Sequence, residues 1–103
     1  MSNYRNTRAL RAAQGEPCRH CFIENGTIVA AHSNLGQHGK GMGIKAHDCF
    51  IAFLCCECHK NYDSGFMPQS MFEKAMRRTQ VDLIERRILT PEIINGNYNE
   101  WGG

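Results

Sequence analysis

Apolar residues fall into short runs separated by polar and glycine-rich stretches. The run Cys49-Phe50-Ile51-Ala52-Phe53-Leu54 is continuous and too short for a stable helix, so it predicts a buried strand. A second strand is predicted at Thr27-Ile28-Val29-Ala30-Ala31, entered through the turn signal Asn25-Gly26. Phe72, Ala75, Met76, Thr79, Leu83 and Ile84 recur at helical spacing. They follow Ser70-Met71-Phe72-Glu73, a capping box, and predict a helix over 70–90 that stops before Pro91. A short helix is expected from Cys58 to Asp63, ending near Gly65. Another is expected within 1–16, where Ala9-Leu10-Arg11-Ala12-Ala13 favours helix and Gly15 and Pro17 stop it. Residues 95–103 predict a mobile tail.

Between the strands, residues 33–47 include Gly36, Gly39, Gly41 and Gly43, too many glycines for a stable helix or long strand. A loop of that length in a small domain is usually functional or disordered. The order from 26 to 64 is therefore strand, glycine loop, strand, helix. With flanking helices, this predicts a single α+β domain over 1–103, whose core lies in 17–65.

The chain has 103 residues, enough for one hydrophobic core and not for two. No apolar run approaches the roughly 18–20 residues that span a bilayer, so no membrane partner is expected. Met1-Ser2-Asn3-Tyr4-Arg5 has a charge with no apolar stretch behind it, which predicts no signal peptide. The formal charge of +2 is mild and excludes no class of partner. Its distribution is more informative, because Arg5, Arg8 and Arg11 stand in 1–15 without an acid and predict a basic stripe.

Six cysteines in so short a chain narrow the chemistry further. They could form three disulfides, but without export the compartment is reducing and disulfides are rare there. The spacing points to metal. Cys18-Arg19-His20-Cys21 and Cys55-Cys56-Glu57-Cys58 are two Cys-x2-Cys knuckles, which together make a four-thiolate site for structural zinc. The 33 residues between the knuckles exceed the roughly 15–20 of an ordinary four-cysteine ribbon. Cys49 reads as a small core residue, Cys56 as a substitute ligand at most, and His20 as a solvent-facing turn residue that could otherwise replace a Cys.

His32 ends the first strand, Asp48 opens the second, and His59 follows the last knuckle thiolate. Antiparallel pairing brings the first two together, and the following helix projects His59 towards them. A neutral imidazole at His32 is suited to take a proton from water. His59 and Asp63, four apart on a helix, share a face and could bind one divalent ion. Lys40 and Lys45, set among glycines, suit phosphate contacts. His38 and His47 in the same loop are expected to be solvent-exposed or substrate-contacting.

This arrangement of Cys-x2-Cys, a strand ending in His, a loop and Leu-Cys-x2-Cys-His is similar to the zinc-clamped HNH endonucleases with a ββα-metal core. It most resembles the YbcO-like family of prophage-encoded nucleases. The shared pieces are Ala31-His32, the segment from Gly41 through Asp48, Cys55-Cys56-Glu57-Cys58-His59 with Asp63, and Arg78-Thr79-Gln80-Val81. They cover roughly residues 17–90 in the same order. The resemblance implies an HNH-like fold, DNA as substrate, a second divalent ion such as Mg²⁺ or Mn²⁺, and a bacterial host cytoplasm. It implies His32 as general base with Asp48 in the catalytic set, and His59 with Asp63 on the catalytic ion. Arg78 lies in a shared segment and is expected as a structural or DNA contact, beside the DNA contacts expected at Arg5, Arg8, Arg11, Lys40 and Lys45 from their charge. Ala31 stands where many HNH enzymes carry an acidic or histidine metal ligand. The rival expectation is a non-catalytic zinc module that binds nucleic acid or protein.

Overall fold

The longest apolar run becomes strand β2 (Ile51–Leu54), buried along its whole length. It pairs antiparallel with β1 (Val29–His32), with Val29 opposite Leu54 and His32 opposite Ile51. The computed structural model describes residues 3–98. Among the described residues four α-helices accompany this two-stranded sheet: α1 (Thr7–Arg11), α2 (Cys56–Asp63), α3 (Gln69–Glu85) and α4 (Pro91–Ile94). The result is a small α+β fold in which β1, β2 and α2 follow in chain order. Among the described residues, no helix is long and apolar enough to cross a membrane.

A two-stranded sheet has a second edge to satisfy, and α3 supplies the partners. Thr79 Oγ1 accepts the N–H of Phe53 at 3.1 Å, and Gln80 Nε2 donates to the Cys49 carbonyl at 2.9 Å. The Phe53 carbonyl accepts the Arg19 N–H at 2.7 Å, which ties the first knuckle to the same edge. Phe72, Ala75, Met76 and Leu83 bury the apolar stripe of α3 in the core with Ile51, Phe53 and Leu54.

Several element boundaries differ from the sequence expectation. β1 starts at Val29 because Thr27 is held in a turn: its N–H and hydroxyl both reach Asn25 Oδ1. β2 starts at Ile51 because a turn closes from the Phe50 N–H to the His47 carbonyl, so Asp48 precedes the strand. α2 begins at Cys56, since the Cys55 sulfur caps it by accepting the Cys58 N–H. The capping box at Ser70 does not form. Pro68, extended at ψ 147°, occupies the N-cap position, and Ser70 lies inside the first turn.

α3 stops at Glu85 rather than reaching 90. Arg87 turns left-handed at φ 60°, and the N–H groups of Ile88 and Leu89 return to the Leu83 carbonyl. Pro91 then opens α4, which Thr90 caps. The N-terminal helix is one short segment, capped by Asn6 and leaving Arg5 outside it. Of the stretch expected as a mobile tail, Tyr98 stacks on His47 with ring centroids 4.2 Å apart. Residues 99–103 lie outside the described residues.

Candidate functional site

The loop over 33–47 is folded and fastened. A single 3-10 turn, Gly36–His38, is followed by a tight hairpin in which Gly41 and Ile44 exchange both backbone hydrogen bonds at 3.0 Å. Asn3 Nδ2 donates to the carbonyls of Gly39 and Lys45, and Arg5 donates to those of Lys45 and Ala46. Gly39, at φ +96°, has no room for a side chain, because a Cβ there would meet the His47 ring at 2.7 Å and Asn3 at 2.9 Å.

His38 and His47 are part of this fastening, which corrects their reading as exposed or substrate-contacting groups. His38 is buried, bonded through Nδ1 to Ser33 Oγ at 2.6 Å and stacked on Phe50. His47 accepts the Tyr4 N–H on Nδ1 at 2.9 Å. Burial lowers the pKa of both rings, with Arg5 adding to the effect at His47.

Asp48 lies 2% exposed at the end of the loop, beneath His32. Its Oδ1 meets His32 Nε2 at 2.8 Å and the Arg5 guanidinium at 3.0 Å, while Oδ2 accepts the Asn6 N–H at 2.7 Å. Burial alone would raise the carboxyl pKa, but the bonds from His32, Asn6 and Arg5 outweigh it and hold the pKa low. An ionised carboxylate can only accept, so the imidazole proton sits on Nε2 and Nδ1 is the basic nitrogen. The structure therefore places Asp48 behind His32, where it orients the ring.

His32 lines a cleft of about 470 Å³, walled by α1, β1, the loop and α2. His59 and Asp63 open into the same cleft, with His59 Nε2 3.2 Å from Asp63 Oδ2. Arg11, Lys40 and Lys45 also line it, against one carboxylate. Asn34, not singled out from sequence, joins them with Nδ2 3.5 Å from Asp63 Oδ1. Its backbone is positioned by Tyr62, whose hydroxyl accepts the Asn34 N–H at 2.8 Å and donates to Gln69. The signal available in the sequence was Tyr62 at helical spacing from Cys58, on the buried side of α2.

Two of the six basic residues expected on DNA are committed elsewhere. Arg5 holds Asp48 and the loop carbonyls. Arg78 donates to the Arg19 carbonyl at 3.1 Å and lies over the Phe22 ring, joining α3 to the first knuckle. Arg8 is exposed on α1, one turn from Arg11.

Where β2 passes into α2, the sulfur atoms of Cys18, Cys21, Cys55 and Cys58 lie within 4.8 Å of one another and could hold a metal such as zinc. Four thiolates about 2.3 Å from one ion stand roughly 3.8 Å apart, and Cys21 and Cys55 are separated by 3.7 Å. Burial opposes ionisation of Cys18, yet N–H groups of Cys21, Cys55 and His20 prevail and lower its pKa to about 7. Cys49 is a buried core residue whose thiol burial pushes up to about 12, and Cys56 is exposed outside the cluster. No protein-family model, curated protein or solved structure matches this chain.

Proposed function

We propose that this chain is a metal-dependent HNH-type endonuclease of phage or prophage origin, hydrolysing DNA phosphodiester bonds in a bacterial cytoplasm, with zinc on the four cysteines holding its fold. The observation that carries this reading is the shared cleft. An oriented imidazole, a His–carboxylate pair and three cationic side chains all border one open cleft.

In this reading His32 Nδ1 takes the proton from the attacking water, and Asp48 stabilises the imidazolium that results. Arg11, Lys40 and Lys45 hold the phosphates, which draws the scissile group against the base. His59 Nε2 and Asp63 Oδ2 would hold the divalent ion. When bound, the ion stabilises charge on the phosphoryl group and the leaving oxygen. Asn34 Nδ2 lies 3.5 Å from Asp63 Oδ1, the carboxylate oxygen that does not face His59.

Ala31 favours the second reading, a non-catalytic nucleic-acid-binding module. Its side chain is fully buried in the core, so the residue before His32 offers the cleft no ligand. Plasmid nicking separates the two, run with a panel of divalent ions beside His32→Ala. The enzyme reading expects ion-dependent nicking that falls by about 10²–10⁴ in the variant, the usual contribution of a general base. DNA binding without cleavage under any ion would leave the module, and full-rate cleavage by His32→Ala would remove His32 as base.

A further inference from the structure

The tip of the glycine loop carries a side chain that the cleft chemistry does not use. Met42 is fully exposed, and Ile44 beside it is half exposed. Apolar side chains exposed at a hairpin tip leave apolar surface in water. The two-residue turn is nonetheless rigid: Gly41 and Ile44 are doubly hydrogen-bonded, Gly43 adopts the left-handed φ of +69°, and Asn3 and Arg5 bind the loop carbonyls below the tip. Lys40 and Lys45 flank the tip in sequence and line the cleft with His32.

We infer that the Gly41–Ile44 hairpin is a wedge that enters the minor groove of duplex DNA and inserts Met42 between adjacent base pairs. The inference rests on the proposal that DNA is the substrate, and it extends that proposal from the cut phosphate to the shape of the duplex. Charge selects the occupant, because an apolar tip between two lysines matches base stacks lying between two phosphate strands. The minor groove, roughly 6 Å wide, excludes a helix, whereas a single side chain at the end of a two-residue turn can enter it. Apolar wedges of this type, methionine among them, unstack a base step and kink the duplex. Unstacking here would open the minor groove, which Lys40 and Lys45 of the same loop border together with His32.

The test uses the full chain with His32→Ala, without added divalent ion, on duplexes carrying 2-aminopurine at scattered positions. Unstacking should raise the emission severalfold on binding. The rise should vanish when Met42→Ala is added and return with Met42→Leu. Because Met42 is fully exposed, its truncation leaves the core intact. It also carries no charge, so the salt dependence of binding should stay unchanged. No rise at saturating protein, or a rise that survives Met42→Ala, overturns the wedge. Tip-dependent binding to neutral phosphatidylcholine vesicles in place of duplex also overturns it. A Met42-dependent rise in a chain whose wild type cuts nothing supports the wedge and removes only the nuclease. Wild-type nicking without a rise removes only the wedge, and failure to bind duplex removes both.

Discussion

Asp48 organises the candidate site at the scale of single residues. One carboxylate is shared by His32, Arg5 and the Asn6 N–H, so it fixes the imidazole and anchors the N-terminal segment together. Asp48→Asn keeps the shape but removes the charge. It should lower stability by about 1.5–3 kcal/mol, the range for hydrogen bonds to charged groups, read from the urea midpoint at neutral pH. It should also slow cleavage, because an amide can donate to His32 and reverse its tautomer. The pKa of Asp48 is held low in the fold, so its stabilisation is present above the unfolded value of about 3.9 and is lost as pH falls through the native one. The variant should therefore lose less stability than wild type below about pH 4. Equal acid losses in the two proteins would show that Asp48 is not the titrating group.

At the scale of elements, the glycine loop and the two knuckles are stabilised by different chemistry. The loop depends on neutral His38 and His47, whose pKa values burial lowers. A histidine lowered in the fold contributes stability above its unfolded pKa, about 6.5, and loses it as pH drops through the native value. Protonation of His47 Nδ1 would also replace the acceptor for the Tyr4 N–H. The urea midpoint should thus fall between pH 7.5 and 5.5, and His47→Asn should flatten that fall. A pH-independent midpoint over this range would exclude the two rings. The knuckles bring together four sulfur atoms that could hold a metal. One zinc per chain is expected on Cys18, Cys21, Cys55 and Cys58, and its removal by a strong chelator should unfold the domain, since zinc supplies about 10 kcal/mol or more in isolated finger peptides. Cys49→Ala should retain the zinc, because Cys49 lies outside the cluster. An unchanged melting curve after metal removal would end the structural role.

For the whole molecule, basic residues divide into those that hold the fold and those that face the cleft or solvent. Arg5, Arg19, Arg78 and Arg86 are held in ion pairs or carbonyl bonds. Of the basic residues left, Arg8, Arg11, Lys40 and Lys45 are the ones that the proposed nuclease would set on phosphates. Four such contacts predict a log–log salt slope of about 3.6 for duplex binding, at about 0.9 each. Lys40→Ala and Lys45→Ala should each reduce it by roughly one contact, while Arg5→Ala should instead lower thermal stability. Titration of binding against salt checks this, and a flat curve would remove the electrostatic role altogether.

The sequence by itself determined the features set by local chemistry and spacing. Two residues between cysteines bring both sulfur atoms of a knuckle to one side, and the i, i+4 spacing puts His59 and Asp63 on one face of α2. Continuous apolarity likewise marked β2, and the spacing from Phe72 to Leu83 marked α3. Tertiary structure decided which partner each polar group found. The sequence gives Arg5 and Arg11 the same charge, yet one is drawn to a buried carboxylate 43 residues away and the other is left in the cleft. Ser70 carried a capping signal, but the bend through Pro68 placed it inside the helix. Thr79 resembled an ordinary stripe residue until the open edge of β2 needed an acceptor. Spacing along a chain fixes which side chains share a face, whereas burial makes an unpaired polar group costly and thereby selects partners across the fold.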